Sequence, residues 1–240
     1  MEVLIILGNG ASFDSGLNEN ISHEIMNISY LKKNPVDFWK YYLSLFLKYD
    51  SIKKIGPTYQ ELKEFIKGFH SSTILTQNID NLALQCKSTN LINIHGLYDN
   101  AFCDSCGDQN KILDMPFFSD FKCIYCDCGG LYRPAIVMYD EPFEIKILEY
   151  FDISIIMGSS TDYGYLEETI KNLIKKNKYI YIVFIEPDKN KIKMIYNHLK
   201  RRKHKNFIYI QSTLYQGISY LDKILRNKEF YNLNNVILKL

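Results

Sequence analysis

Side chains able to do chemistry follow two short apolar runs in the first half of the chain. Gln77, Asn78 and Asp80 come directly after the first run, and His95 ends the second. In an open α/β sheet, ligands bind in the crevice beyond the carboxyl ends of the strands, so an acid, two amides and an imidazole at two strand ends indicate a reaction site. The alternative is that Asn78 and Asp80 cap a helix that starts near Leu82, a role that Asn and Asp often take. The presence of His95 at the next strand end favours the functional interpretation.

A glycine-rich turn follows the first apolar run of the chain, residues 3–7. The turn reads Gly-Asn-Gly-Ala-Ser and covers residues 8–12. Glycines in this position let the backbone turn tightly and approach a phosphate, with N–H groups of the following helix pointing at the anion. Phe13 stands where the third glycine of the dinucleotide fingerprint would lie, so the fingerprint is incomplete. A Gly-x-Gly turn is common in proteins and does not predict phosphate binding by itself. It supports such a site only together with the polar groups at the other strand ends.

Two later strand ends carry groups suited to a nucleotide. The apolar run at residues 153–157 ends in a Gly-Ser-Ser-Thr turn, which is small and hydroxylated and can hold a phosphate or a ribose. The strand at residues 179–185 ends at Glu186, whose carboxylate can take the two hydroxyls of a ribose. A plain surface acid explains Glu186 at least as well when the residue is considered alone.

Four cysteines in two close pairs indicate a structural metal site. Cys103 and Cys106 form a C-x2-C pair, and Cys126 and Cys128 follow as C-x-C before two glycines. Two thiolate pairs separated by a loop match the ligand pattern of tetrahedral Zn²⁺. Cys123 with Cys126 would restore a C-x2-C spacing, so the identity of the fourth ligand stays open. An iron–sulfur cluster uses similar ligands, but the spacing favours zinc, and a closed four-thiolate site predicts a structural rather than a catalytic metal.

The rest of the chain supplies the elements that would position these groups. Apolar runs of strand length alternate with stretches in which apolar residues recur at helical spacing. Strands that alternate with helices predict an α/β protein with a Rossmann-like, doubly wound parallel sheet. Residues 18–69 interrupt this alternation and carry apolar and aromatic residues at helical spacing, which predicts a small helical module. Residues 131–142 are expected to return to the sheet.

The composition excludes several classes of protein. The 240 residues fit one domain with an insertion or two small ones, and a net charge of +2 is too balanced to predict a nucleic-acid or membrane partner. No stretch approaches the roughly 20 apolar residues of a membrane span, and the N-terminal segment lacks the basic region of a signal peptide. We therefore expect a cytoplasmic protein, in which the six cysteines are reduced and clustered ones bind a metal.

Taken in their order along the chain, these motifs resemble those of the sirtuin family of NAD-dependent protein deacylases. The resemblance spans nearly the whole chain. Its most specific part is T-Q-N-I-D at residues 76–80, which is identical to the family motif, and I-H-G at residues 94–96 also matches. The remaining motifs are similar: G-N-G-A-S-F-D-S-G-L at residues 8–17, the cysteine pairs, G-G-L-Y-R-P at residues 129–134 with M-Y-D-E at residues 138–141, G-S-S at residues 158–160 and I-E-P-D at residues 185–188.

The resemblance implies a fold and a reaction. The fold is a Rossmann-like NAD-binding domain at residues 1–17, 70–100 and 131–240, with a small domain made of a helical module at residues 18–69 and a zinc-binding module at residues 101–130. The reaction removes an acyl group from a lysine of a protein or peptide, consumes NAD, and releases nicotinamide and O-acyl-ADP-ribose. Residues 136–141 would pair with the extended acyl-lysine peptide through backbone hydrogen bonds.

The same resemblance implies roles for individual residues. His95 would be the general base that activates a ribose hydroxyl, while Asn78 and Asp80 would hold the nicotinamide ribose and carboxamide as the glycosidic bond breaks. The other NAD-binding residues would be Gly8, Gly10, Ala11 and Ser12 at the pyrophosphate, Gln77 at the nicotinamide ribose, Gly158, Ser159 and Ser160 at the adenosine ribose, and Glu186 in place of the family's ribose-binding Asn. The zinc ligands would be Cys103, Cys106, Cys126 and Cys128.

Two departures from the family pattern bear on the reaction. After residue 17 the family continues P-x-F-R, whereas this chain reads N-E-N-I-S and has no arginine before Arg133. The family's F-G-E is Tyr-Asp-Glu at residues 139–141, which makes this loop bulkier and more acidic. These changes are compatible with NAD binding but raise a second hypothesis, a sirtuin-like NAD hydrolase or ADP-ribosyltransferase with weak or no deacylase activity. A third hypothesis is a module that binds NAD or ADP-ribose without chemistry.

Overall fold

The largest element of the fold is a seven-stranded parallel sheet with the strand order β10-β9-β8-β7-β1-β2-β3. The structure, a computed structural model, describes residues 1–18, 21–115, 124–142, 149–159, 163–227, 230 and 236–239. The sheet strands are β1 (Glu2–Leu7), β2 (Ser71–Thr76), β3 (Asn90–Asn93), β7 (Ile153–Met157), β8 (Tyr181–Ile185), β9 (Phe207–Gln211) and β10 (Val236–Lys239). The chain places β2 and β3 on one side of β1 and all later sheet strands on the other, so the strand order reverses between β1 and β7. The predicted doubly wound parallel sheet is confirmed.

Helices cover both faces of this sheet because its strands are apolar on both sides. Ile5 and Ile6 of β1 are fully buried and belong to the cores on opposite faces. One core includes side chains of α3 (Pro57–Phe65) and α6 (Leu214–Arg226), and the other includes side chains of α4 (Tyr163–Lys176) and α5 (Lys189–Arg201). Continuous apolar strands of this kind are typical of parallel sheets that are buried on both faces. No helix in the described part of the chain is long and apolar enough to cross a bilayer.

A second, smaller core lies around a three-stranded antiparallel sheet. This sheet has the order β5-β4-β6 and consists of β4 (Gly96–Cys103), β5 (Gln109–Lys111) and β6 (Tyr132–Ile136). Two helices share its core, α1 (Ile28–Lys33) and α2 (Pro35–Ser51). Trp39 Nε1 donates to the Tyr132 carbonyl at 3.1 Å, and Tyr42 Oη donates to the Tyr98 carbonyl at 2.8 Å. The aromatic residues of α2 therefore join the helices to this sheet.

Two elements lie elsewhere than the sequence predicts. The expected return of residues 131–142 to the large sheet is wrong, because β6 pairs with β4 in the small sheet. Its alternating burial is that of an antiparallel strand with one face in a core, whereas the central strand β7 of the large sheet is buried continuously. Helix α3 falls within the predicted helical module, yet its buried side chains Tyr59, Leu62 and Phe65 belong to the core of the large sheet.

Candidate active site

The carboxyl ends of four neighbouring strands are tied together by backbone hydrogen bonds. The Gln77 N–H donates to the Leu7 carbonyl at 3.0 Å, and the Gly8 N–H donates to the Met157 carbonyl at 3.1 Å. The Ile94 N–H donates to the Thr76 carbonyl at 3.0 Å. The turns after β1, β2, β3 and β7 thus share one edge, at the point where the strand order reverses. Open α/β sheets bind their ligands at such a point.

The two glycine turns at this edge pack directly against each other. The Gly10 N–H donates to the Gly158 carbonyl at 2.9 Å, and a Cβ on Gly8 would lie 2.3 Å from the same oxygen. Gly158 has a φ of +61°, and a Cβ there would lie 2.5 Å from the Ala11 nitrogen. Glycine is required at both turns for this contact alone. The Ala11 N–H donates to the Gly8 carbonyl at 3.0 Å, so the N–H groups of Gly10 and Ala11 are both used inside the protein.

A buried polar network lies where the turns after β1 and β2 meet. Ser12 Oγ donates to Asp80 Oδ2 at 2.7 Å. Asn78 Nδ2 lies 3.0 Å from Ser12 Oγ, 3.1 Å from the Gly8 carbonyl and 3.1 Å from Tyr59 Oη. Tyr59 Oη lies 3.0 Å from Ser12 Oγ. The structure thus brings together three of the predicted site residues, Ser12, Asn78 and Asp80, and adds a tyrosine from α3.

Asn78 presents one polar atom that the described residues leave unsatisfied. Its side chain is 6% exposed, and Oδ1 is buried without a hydrogen-bond partner there. Leaving a buried acceptor unpaired costs roughly 1–3 kcal/mol, so such atoms are rare without a reason. The opposite end of the same amide is held by up to three acceptors. An acceptor that is fixed in place and open suits a ligand hydroxyl or amide N–H.

Asp80 serves as both a cap and a member of the network. Its Oδ1 accepts the Leu82 N–H at 3.0 Å at the start of a short 3-10 helix, Leu82–Cys86. Its Oδ2 accepts from Ser12. Burial raises the pKa of Asp80, and the hydrogen bonds from Ser12 and Leu82 offset part of that rise. Of the two interpretations made from the sequence, the capping bond is present at Oδ1, while a role of Asp80 in chemistry stays a prediction.

His95 lies in a bend held against the turn that carries Asn78 and Asp80. The Ile94 N–H donates to the Thr76 carbonyl and the Tyr98 N–H to the Ile79 carbonyl, at 3.0 and 2.9 Å, so bonds on both sides of His95 join the bend to residues 76–79. Gly96 has a φ of +80°, and a Cβ there would lie 1.9 Å from the Ala135 carbonyl. The glycine therefore makes the sharp turn after His95 possible.

Glu186 follows β8 at the same edge and is bonded within its own turn. Its carboxylate accepts the Asp188 N–H at 3.0 Å and lies 3.7 Å from Lys191 Nζ. The side chain is buried, and burial raises its pKa while the Asp188 N–H and Lys191 partly offset the rise. Ser159 is buried in the turn after β7. Ser160 lies outside the described residues.

The segment after β6 already uses its backbone donors. The N–H groups of Val137, Met138 and Tyr139 donate to the His95 carbonyl, to Glu141 Oε2 and to the Met26 carbonyl, at 2.9, 2.9 and 3.1 Å. Arg133 forms a two-pronged ion pair with Glu141. A peptide strand along residues 136–141 would therefore bind mainly to carbonyl oxygens, or would replace one of these contacts.

The four predicted zinc ligands form one cluster. All four sulfur atoms, those of Cys103, Cys106, Cys126 and Cys128, lie within 4.8 Å of one another. The Cys103–Cys128 and Cys106–Cys126 sulfur distances are 3.5 and 3.7 Å. Zn–S bonds of about 2.3 Å in a tetrahedron place sulfurs about 3.8 Å apart, so these residues fit Zn²⁺. Cys123, the alternative ligand, lies outside the described residues.

Tyr59 and Asp14 are site residues that sequence reasoning missed. Asp14 Oδ2 accepts the Thr58 N–H at 2.8 Å and the Thr58 hydroxyl at 2.7 Å, which fixes the start of α3. This contact places Tyr59 beside Ser12. The sequence gives no signal for the contact, because Tyr59 is one more aromatic residue at helical spacing.

Comparison with known proteins identifies the family. The model of the Sir2 family matches residues 11–163, which is more than half of the chain. The chain belongs to the Sir2 family. The predicted sirtuin resemblance is confirmed, and the matched residues of this Sir2 chain include the Ser12–Asn78–Asp80 network, His95 and the cysteine cluster.

Named relatives of the Sir2 chain are similar over part of their length. It is 32% identical over 153 residues to the NAD-dependent protein deacetylase of Saccharolobus solfataricus, covering 60% of this chain and 61% of that protein. It is 29% identical over 185 residues to NAD-dependent protein deacetylase 2 of Geobacillus kaustophilus, covering 67% and 71%. The match to the first relative thus spans less than two thirds of that protein.

Solved Sir2 structures share the fold of this chain. A Sir2 homologue in complex with NAD superposes with a TM-score of 0.70 at 20% identity, covering 95% of this chain and 90% of the other. Sir2Tm bound to a propionylated peptide gives a TM-score of 0.71 at 18% identity, covering 96% and 94%. At these identities the likeness concerns the fold.

Proposed function

We propose that this protein is an NAD-dependent protein-lysine deacylase, a transferase that consumes NAD and releases nicotinamide and O-acyl-ADP-ribose. The observation that carries the proposal is the buried network of Ser12, Asn78 and Asp80 at the point where the strand order reverses. The Sir2 family model matches the segment that contains it, and relatives of the chain are named as NAD-dependent protein deacetylases. A fixed amide and a carboxylate suit a reaction in which a bond from a sugar carbon to nitrogen breaks and positive charge develops on the sugar.

The proposed roles follow the placement of the side chains. Asn78 presents Oδ1 to the nicotinamide ribose or carboxamide, and Asp80 supplies negative charge nearby. His95 acts as the general base on a ribose hydroxyl. The other proposed NAD-binding residues are Gly8, Gly10, Ala11 and Ser12 at the pyrophosphate, Gln77 at the nicotinamide ribose, and Gly158, Ser159, Ser160 and Glu186 toward the adenosine ribose.

The proposed second substrate is a protein or peptide with an acylated lysine. One observation favours the alternative, an NAD hydrolase or ADP-ribosyltransferase with little deacylase activity. The N–H groups of residues 137–139 are bonded within the protein, which leaves fewer donors for a peptide strand. Water or another nucleophile would then take the place of the acyl group.

We also propose that the chain works as two bodies with the cleft between them. The large body is the Rossmann-like sheet of β1 to β3 and β7 to β10 with helices α3 to α6. The small body combines the helical module and the zinc module, because α1, α2, β4 and β6 share one core. Zn²⁺ on the four cysteines would hold the small body together and take no part in the chemistry.

The decisive experiment measures nicotinamide release from NAD with and without an acetyl-lysine peptide, on zinc-loaded, folded protein. A deacylase releases nicotinamide in proportion to peptide deacetylated. Release without peptide identifies the hydrolase or transferase alternative. Absence of release under both conditions, with NAD bound, leaves a binding module and rejects both enzymes.

Asn78 provides the residue-specific test. We expect Asn78→Ala to reduce kcat/KM for NAD by roughly 100-fold, since misplacing one positioning group can cost that much. Asn177→Ala is the matched control, because Asn177 is equally buried but bonds the Phe151 carbonyl at 2.8 Å, away from the site. The control should lose stability and keep kcat/KM. Equal kinetic losses in both variants would reject the assigned role of Asn78.

A further inference from the structure

Tyr59 is a fully buried tyrosine whose hydroxyl ends in the polar network. It lies in the first turn of α3, which Asp14 fixes through Thr58. Its Oη is 3.0 Å from Ser12 Oγ and 3.1 Å from Asn78 Nδ2. A tyrosine hydroxyl that could have reached solvent from a surface helix is instead directed at two predicted site residues.

With Asp80 ionised, the hydrogen atoms in this network have one consistent arrangement. Ser12 has a single hydroxyl hydrogen, and it is directed to Asp80. Asn78 Nδ2 only donates. Of the two polar neighbours of Tyr59 Oη, only Ser12 Oγ can therefore accept the tyrosine hydrogen. The order of donation is Asn78 to Tyr59, Tyr59 to Ser12, and Ser12 to Asp80.

We propose that Tyr59 is a positioning residue. By donating a hydrogen bond to Ser12 Oγ, it keeps the Ser12 hydroxyl oriented as the donor to Asp80. The hydrogen bond from Ser12 in turn keeps Asp80 ionised as a carboxylate. The role rests on the proposed function, in which a negative Asp80 favours cleavage of NAD. Tyr59 acts through Ser12 and touches neither substrate. Donation to a hydroxyl oxygen polarises that hydroxyl and strengthens the bond that it donates in turn.

The surroundings of Asp80 make such support necessary. Ser12 from the turn after β1, Tyr59 from α3, the Leu82 N–H and Tyr98 from β4 are recorded around Asp80, and His95 lies in the bend held against the same turn. Burial works against the charged form of Asp80, and the hydrogen bonds from Ser12 and Leu82 favour that form.

The direct test is a carboxyl-carbon NMR titration of Asp80 in the protein without NAD, with the signal assigned by its loss in Asp80→Asn. We expect Tyr59→Phe to raise the pKa of Asp80 by about 0.5 to 1, the equivalent of one hydrogen bond. Tyr209→Phe is the matched control, since Tyr209 is also fully buried but its hydroxyl has no partner among the described residues. An Asp80 pKa that is the same in Tyr59→Phe as in the parent overturns the proposal.

A double-mutant cycle separates positioning from general damage. Ser12→Ala should raise the pKa of Asp80 more than Tyr59→Phe, and Tyr59→Phe should add nothing in the Ser12→Ala background. An additive rise would show that Tyr59 acts on Asp80 by another route and would also overturn the proposal.

Kinetics connect the result to the reaction. In an enzyme that cleaves NAD, the acid side of the kcat/KM profile contains a step for Asp80 beside that of the general base His95. The Asp80 step should move to higher pH in Tyr59→Phe by the same amount as the NMR value, and stay in place in Tyr209→Phe. If the parent protein neither binds nor cleaves NAD, the proposed function fails, while the titration still decides the role of Tyr59.

Discussion

Asp80 carries a charge that burial disfavours, and this sets a conflict between stability and function at a single residue. Its pKa is raised by burial, with partial compensation from Ser12 and Leu82. A carboxyl group whose pKa is higher in the folded state binds more protons there than in the unfolded chain. The fold therefore loses stability as the pH rises from the unfolded pKa of about 3.9 through the raised folded value.

From this sign we predict that Asp80→Asn is more stable than the parent at pH 7 and has much lower activity with NAD. The amide keeps the bond from Leu82 and removes the buried charge. The difference in Tm should shrink as the pH falls, because the parent then becomes protonated at Asp80. Asp114→Asn, at an exposed carboxylate, is the control and should leave the Tm at pH 7 nearly unchanged. A thermal melt series that finds Asp80→Asn less stable at pH 7 contradicts this account.

At the residue scale, the sequence identified groups by type and by position after a strand. Asn78 and Asp80 were recognisable because they directly follow a buried strand, and His95 because it ends the next apolar run of the sequence. Tyr59 was not, since its position in the network depends on how α3 lies over the turn after β1. That geometry results from a contact between Asp14 and Thr58, which are 44 positions apart. Contacts over such separations leave no local pattern.

At the scale of elements, the contact between the turns after β1 and β7 depends on the absence of side chains. We predict that Gly8→Ala lowers Tm by several degrees and weakens NAD binding at least tenfold, because its Cβ would lie 2.3 Å from the Gly158 carbonyl and the turns would have to separate. Gly68→Ala is the control, since no atom lies within 4 Å of a Cβ there. Calorimetry on both variants checks the prediction, and an unchanged Gly8→Ala would contradict it.

The first turn of a second element, α1, is hydrogen-bonded to a carboxylate from the loop after β6. Asp140 accepts the Ile28 N–H at 2.8 Å and the Ser29 N–H and hydroxyl at 3.1 Å. Tyr139, the residue before Asp140, stacks on His23 with ring centroids 3.7 Å apart. Although burial acts to raise the pKa of Asp140, the hydrogen bonds from Ile28 and Ser29 outweigh it and lower the pKa.

We therefore predict that Asp140→Ala destabilises α1 by less than about 1 kcal/mol, the usual cost of losing an N-cap, because the N-cap Asn27 still accepts the Tyr30 N–H. Amide hydrogen exchange at residues 28–33 should become faster in the variant. Because the folded pKa is lowered, the stabilisation is present at neutral pH and is lost as the pH falls through that lowered value. Asp37→Ala, which removes an exposed acid 3.8 Å from Lys40, should leave exchange in α2 nearly unchanged. Equal exchange at residues 28–33 in Asp140→Ala and the parent would be inconsistent with capping.

The elements of the large sheet were predictable because their apolar runs are continuous. β6 was misplaced because a five-residue run does not say which sheet it joins. Its alternating burial became visible only once β4 lay beside it. The order of elements along the chain thus predicts the parallel sheet well, and it predicts the membership of short antiparallel strands poorly.

At the scale of the whole molecule, the helical module and the zinc module contribute side chains to one small core. Cys103 is buried in the same core as Trp39 and Tyr42 of α2, and Ile112 and Ile124, which lie between the two cysteine pairs in sequence, belong to this core as well. The cysteine spacing predicted the metal, but the sequence could not show that the helical and zinc modules share one core. Small metal-binding modules take much of their folding free energy from the metal.

We predict that the protein contains about one Zn²⁺ per chain and that Cys106→Ala or a strong chelator unfolds the small core while the large sheet persists. Trp39 is the only tryptophan and is fully buried in this core, with Nε1 bonded to the Tyr132 carbonyl, so its fluorescence reports on the small core alone. Its emission should move to longer wavelength on metal removal, whereas far-ultraviolet circular dichroism should retain most of its signal from the large sheet and its helices.

Cys86→Ala is the matched control, because Cys86 lies in the core of the large sheet, outside the cluster, and its loss should leave both zinc content and Trp39 emission unchanged. If chelation removed zinc without changing the Trp39 emission, the metal would not be what holds the small core together.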